Sequence, residues 1–171
     1  RLTLDAGARI DFQQSETFGE LTGTGLADIT YAGPNGITVG TTGSDFTFAG
    51  KLSGMAPLPS GYGLQKVGAG TFTLTGASDT DHTIRVGGGR LRVDGSIDSR
   101  RIEIAGGALA GTGRIAGIVT VENGGRLEGR AGQTLTLGGL SLSSGSVLDV
   151  ALGTPSATAL FDVSGNVTLD G

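Results

Sequence analysis

A short alternation of apolar and polar positions recurs along the chain. Residues 84–91 read Ile-Arg-Val-Gly-Gly-Gly-Arg-Leu, residues 102–109 read Ile-Glu-Ile-Ala-Gly-Gly-Ala-Leu, and residues 119–127 read Val-Thr-Val-Glu-Asn-Gly-Gly-Arg-Leu. Two apolar residues separated by one polar residue share one face of an extended strand. Leu91, Leu109 and Leu127 are spaced by 18 and 18, and Leu148 follows after 21; Val86, Ile104, Val121 and Leu142 step by 18, 17 and 21. The same triplet returns as Leu2-Thr-Leu4, Phe46-Thr-Phe48, Phe72-Thr-Leu74, Leu135-Thr-Leu137, Leu140-Ser-Leu142 and Val167-Thr-Leu169. A strand this short cannot bury its apolar face alone. Stacked on the next copy, it pairs its backbone and continues that face, which makes it one rung of a solenoid. The pattern predicts an all-β solenoid of roughly eight or nine rungs, on the order of 40 Å long at ~4.8 Å per rung. Phe72, Leu74, Val86, Leu91, Ile104, Leu109, Val121 and Leu127 are its inward residues. Gly88, Gly89, Gly106, Gly107, Gly124 and Gly125 mark its corners, where the chain needs positive φ or close backbone approach. No ten-residue window keeps a 3.6-residue apolar period without glycine intervening, which argues against helix.

Composition changes this picture little. There are 34 glycines in 171 residues, yet 37% of residues are apolar, so the chain is not a disordered low-complexity segment. It reads as one domain over residues 1–171, with the regular repeat at about 64–130. The one interruption is 55–62, Met-Ala-Pro-Leu-Pro-Ser-Gly-Tyr, where Pro57 and Pro59 forbid a central strand and predict a protruding loop. The absence of cysteine excludes disulfides and thiol chemistry and suits a chain exported through an oxidising compartment. Arg1 is not an initiator methionine, and repeat sequence runs to both ends, so the chain reads as an excised piece. The net charge of −4 is uneven: residues 85–130 hold eight arginines against five acids. Arg85, Arg92 and Arg101 fall at outward strand positions, and the band reads as a solvated face.

The candidates for chemistry are sparse. His82 is the one histidine and no Gly-x-Ser-x-Gly elbow exists, so a Ser-His-Asp site has little to stand on. His82 reads as a solvated turn residue. Asp79-Thr80-Asp81-His82 offers alternate oxygens for a cation, but it lacks the glycine and distal glutamate of a calcium loop and reads as an Asx-type turn. Gly23-Thr-Gly25, Gly68-Ala-Gly70 and Gly111-Thr-Gly113 lack a P-loop lysine and a following helix, so they read as corners rather than phosphate cradles. A β-helical glycan-active enzyme needs acid pairs and aromatic platforms. Tryptophan is absent, and Phe46, Phe48 and Phe72 alternate with threonine as core residues do. Nucleic-acid binding lacks basicity and exposed aromatics. No catalytic, cofactor-binding or metal residue is assigned.

Lys66-Val-Gly-Ala-Gly-Thr-Phe-Thr-Leu-Thr-Gly76, followed at family spacing by Leu91-Arg-Val93, Gly107-Ala-Leu-Ala-Gly-Thr-Gly113 and Gly124-Gly-Arg-Leu127, resembles the autotransporter-associated β-strand repeat of type V secreted bacterial passenger domains. The resemblance is specific at 66–127 and looser before residue 45. Thr80 and His82 depart from it, standing where the family has an aromatic residue and a glycine. What the resemblance implies is a right-handed parallel β-helix on a Gram-negative cell surface, joined to a C-terminal outer-membrane β-barrel of the same polypeptide. Its implied function is structural and non-enzymatic, supporting folding, secretion and display. Two other readings stay open: an adhesin module that binds a host surface or glycan through the 55–62 loop or the arginine band, and a glycan-active enzyme.

Overall fold

The computed structural model describes residues 1–30, 36–54, 61–154 and 157–170. Among these the chain forms only strands: β1 (Leu2–Leu4), β2 (Arg9–Asp11), β3 (Glu16–Phe18), β4 (Leu21–Gly23), β5 (Leu26–Asp28), β6 (Ile37–Val39), β7 (Phe46–Phe48), β8 (Lys51–Gly54), β9 (Leu64–Lys66), β10 (Thr71–Leu74), β11 (Ala77–Val86), β12 (Arg90–Val93), β13 (Ser96–Ile104), β14 (Ala108–Gly111), β15 (Arg114–Val121), β16 (Arg126–Arg130), β17 (Leu135–Leu142), β18 (Val147–Ala151), β19 (Phe161–Val163) and β20 (Val167–Leu169). The fold is an all-β parallel β-helix. One eight-stranded face runs β1-β4-β7-β10-β12-β14-β16-β18, and a twelve-stranded sheet covers the rest of each turn.

The twelve-stranded sheet is bent into two faces. In the early turns these are separate strands: β2, β5 and β8 on one face and β3, β6 and β9 on the other. From β11 to β17 one long strand in each turn crosses both faces, and the register slips where it bends, between Thr80 and Thr83, between Ile97 and Arg101, and between Ile115 and Ile118; β19 and β20 then divide the two faces again. Each turn therefore presents three strand segments around one core. The sequence cadence of Val86, Ile104 and Val121 followed by Leu91, Leu109 and Leu127 is the passage from the second of these faces, around a glycine corner, into the eight-stranded face.

Period two sets the burial. Phe72, Leu91 and Leu109 are fully buried and directly in register, as are Val86 and Ile104, and each such side chain stabilises the fold by roughly 1.5–3 kcal/mol. All eight inward residues named from sequence are at most 1% exposed. Phe46 and Phe72 stack at 4.7 Å between ring centroids. At the corners, Gly89 carries both demands at once. Its φ is 62°, and a Cβ there would run into the carbonyls of Gly68 and Gly70 in the adjacent turn. Gly125 has ordinary φ, but a Cβ would strike the Ile104 carbonyl.

Two expectations need correction, and a third falls largely outside the described residues. Leu148 is 49% exposed, and Val167 and Leu169 are 52% and 70% exposed, because β18 and β20 lie at the edge of the stack and pair on one side only among the described residues. The turn expected at 79–83 is the middle of β11, and His82 within it is 3% exposed. Its neighbours Ser78, Thr80, Ile84 and Val86 are buried too, so the inward alternation carries straight through the bend. The loop expected at 55–62 lies outside the described residues except for Gly61 and a half-buried Tyr62.

Candidate functional site

Two groups of polar residues have a built environment. One is inside the helix, where Thr80, His82 and Lys66 occupy inward positions. The other is outside, on the eight-stranded face.

Inside, His82 Nε2 lies 2.8 Å from the Ile29 carbonyl, while Nδ1 is buried without a partner. Space for the ring exists because two glycines face it. A Cβ at Gly54 would come within 2.6 Å of Nε2, and one at Gly63 within 2.7 Å of Cγ. Gly54 and Gly63 are far from His82 in sequence, and their missing side chains leave the core space that its ring fills. Asp79 faces outward to Lys51 Nζ at 2.8 Å, and Asp81 is exposed. The four residues weighed as a cation site thus divide between two sides of the strand. His82→Ala removes a buried ring and leaves the Ile29 carbonyl unpaired, so it is expected to cost about 2–3 kcal/mol in chemical denaturation. A loss below ~0.5 kcal/mol would instead place the ring in solvent.

Lys66 is fully buried, which its charge alone did not signal. It stands in register between Val39 and Val86, and its stem continues their apolar row. The ammonium turns back to the corner and donates to the carbonyls of Val67 at 2.6 Å, Gly68 at 3.1 Å and Gly88 at 3.3 Å. Burial holds its pKa below the ordinary lysine value, with the Asp45 carboxylate pulling weakly the other way. The signal that could have found it is the cadence: Lys66-Val67-Gly68 occupies the place of Val86-Gly87-Gly88.

Outside, the eight-stranded face carries a hollow of about 370 Å³. Part of its floor is β14, Ala-Leu-Ala-Gly, where Ala110 offers only a methyl group and Gly111 no side chain to fill the space. Arg90 on β12 reaches across that strand to Glu128 on β16, with Nε–Oε2 and Nη2–Oε1 both at 3.0 Å. Arg130 closes on the same carboxylate at 3.9 Å, leaving the Glu128 side chain 7% exposed. The hydrogen bonds to Glu128 raise the Arg90 pKa further above its already high value. On the near rim Asp45 Oδ1 accepts from the Thr71 amide at 2.6 Å, and Arg92 Nε donates to Asp94 at 2.6 Å. Thr47, Thr73 and Gln133 complete the lining.

The arginine band is thus paired rather than simply solvated. Arg85 lies 5.1 Å over the Tyr62 ring and 3.4 Å from Glu103, and Arg101 bonds Thr120 Oγ1 at 3.2 Å. Sequence reading placed these arginines outward but could not see that stacking brings Asp45, Arg90 and Glu128 to one place. Set against known proteins, the chain matches no family model, no curated protein and no solved structure.

Proposed function

We propose that the chain is a structural, non-catalytic segment of a secreted autotransporter passenger. In this reading it supports folding, secretion and surface display, and it is held at the bacterial cell surface by a C-terminal outer-membrane β-barrel of the same polypeptide. The observation that supports this most is the continuous parallel pairing from turn to turn. Every turn hydrogen-bonds to the one before it from β1 to β18, so each completed turn is the template for the next. A chain that gains stability turn by turn outside the cell resists sliding back. The burial of His82, the one histidine, also favours a scaffold over a hydrolase.

The register supplies a sharp test. Ile102 pairs with Val119, so deleting 102–118 removes one turn and joins Arg101 to the residue that stacks where Ile102 did. Deleting 102–119 shifts the register by one and turns inward residues outward. In the full-length polypeptide the first deletion is expected to keep surface display close to the parent level. The second is expected to reduce display several-fold and to increase degraded passenger, with the barrel still inserted. Equal display from both, with loss of a specific adhesive or enzymatic activity, would replace the scaffold reading.

A further inference from the structure

We propose that the hollow over β14 binds an acidic saccharide, a chain of sugars bearing carboxylates. This does not rest on the secretion reading, since a stalk in any setting could carry such a site.

The hollow exists because β14 interrupts the outward rows. The rows on either side are filled by Arg90 and Arg92 on β12 and by Arg126 and Glu128 on β16. Between them the small residues Ala110 and Gly111 leave a floor bounded by charged walls. Its volume falls in the range of small-ligand sites. Charge then selects the ligand. The whole chain carries −4, yet the hollow is lined by three guanidinium groups, from Arg90, Arg92 and Arg130, against two carboxylates, Asp45 and Glu128, with Asp94 beside it holding Arg92 Nε at 2.6 Å. Glu128 is already occupied by Arg90 through both oxygens, so that pair acts as a fixed wall. Arg130 approaches Glu128 only to 3.9 Å and so keeps most of its N–H donors, and a guanidinium matches a carboxylate in fork geometry.

The other lining groups argue against a bare anion. Thr47 and Thr73, in register on β7 and β10, offer hydroxyls, Gln133 an amide and Asp45 a carboxylate acceptor. A ligand that satisfies donors and acceptors along such a surface must carry hydroxyls as well as negative charge. Large aromatic platforms are lacking, so recognition would come from charge and hydrogen bonding, with modest affinity that weakens with salt.

The test is isothermal titration of the purified 171-residue chain with a galacturonic acid trisaccharide and with its uncharged galactose counterpart, at low and moderate salt. The acidic sugar is expected to bind saturably and at least tenfold more tightly than the neutral one, with affinity falling as salt rises. Arg130→Gln and Ala110→Leu are expected to weaken binding at least tenfold while the melting temperature stays within a few degrees. Should either variant unfold, amide NMR shifts in the unmodified chain decide the matter. Ligand-dependent shifts should centre on Ala110, Gly111 and Gln133. No saturable binding, equal binding of the neutral sugar, or shifts centred elsewhere would overturn the proposal.

Discussion

Leu109→Asp is expected to remove most of the stability of the β-helix. Leu109 is fully buried midway along the eight-stranded face, in register with Leu91 on one side and Leu127 on the other. The substitution deletes an aliphatic side chain that both neighbours pack against. It also places a carboxylate among apolar groups that offer no hydrogen bond, so the group must either stay charged without a partner or take up a proton. Loss of packing and burial of an unsatisfied polar group together cost at least ~4 kcal/mol, a large share of the 5–15 kcal/mol typical of a whole domain. Tm is expected to fall by roughly 10 °C or more. Ile118→Asp is the matched control. It makes the same kind of change at a side chain that is 53% exposed, and it should shift stability by no more than about 0.5 kcal/mol. Thermal unfolding of both variants by circular dichroism decides this. Comparable melting of Leu109→Asp and the parent would mean that the strand register is wrong.

What could be read in the sequence divides along a physical line. Inward positions occupied by leucine, isoleucine, valine and phenylalanine were legible, because period-two alternation and burial say the same thing about them. Positions where a polar side chain faces inward were not. Thr80 and His82 broke the apolar alternation and so resembled a turn, although the strand runs through them. What keeps His82 in the core is the absence of side chains at Gly54 and Gly63, distant in sequence and invisible to local periodicity. The external hollow was illegible for a related reason. Arg90 and Glu128 are 38 residues apart, and only the stacking of β12, β14 and β16 makes them partners. The cadence carried the shorter step of 17 from Ile104 to Val121 but not its cause, which is the bend between Ile97 and Arg101.

Lys66 is where replacement separates charge from packing. Lys66→Ala removes the stem that fills the row between Val39 and Val86 and leaves the carbonyls of Val67, Gly68 and Gly88 without their shared donor. The cavity and the lost hydrogen bonds together are expected to cost about 3–4 kcal/mol. Lys66→Met keeps the stem volume and discards the charge, along with the cost of burying it, so it is expected to recover most of that loss. The pH dependence gives an independent measure. The folded pKa lies below the ordinary value of 10.5, chiefly through burial, so the unfolded chain holds the proton more tightly than the folded one. Stability contributed by this group therefore rises with pH, beginning near the folded pKa and levelling off above 10.5. Groups that titrate elsewhere in the protein affect the parent and Lys66→Met alike, so the difference between their unfolding free energies isolates Lys66. That difference should move in favour of the parent as the solution becomes alkaline. A difference that stays constant across the alkaline range, or an alanine variant within ~1 kcal/mol of the parent, would show that the ammonium lies in solvent rather than against the corner carbonyls.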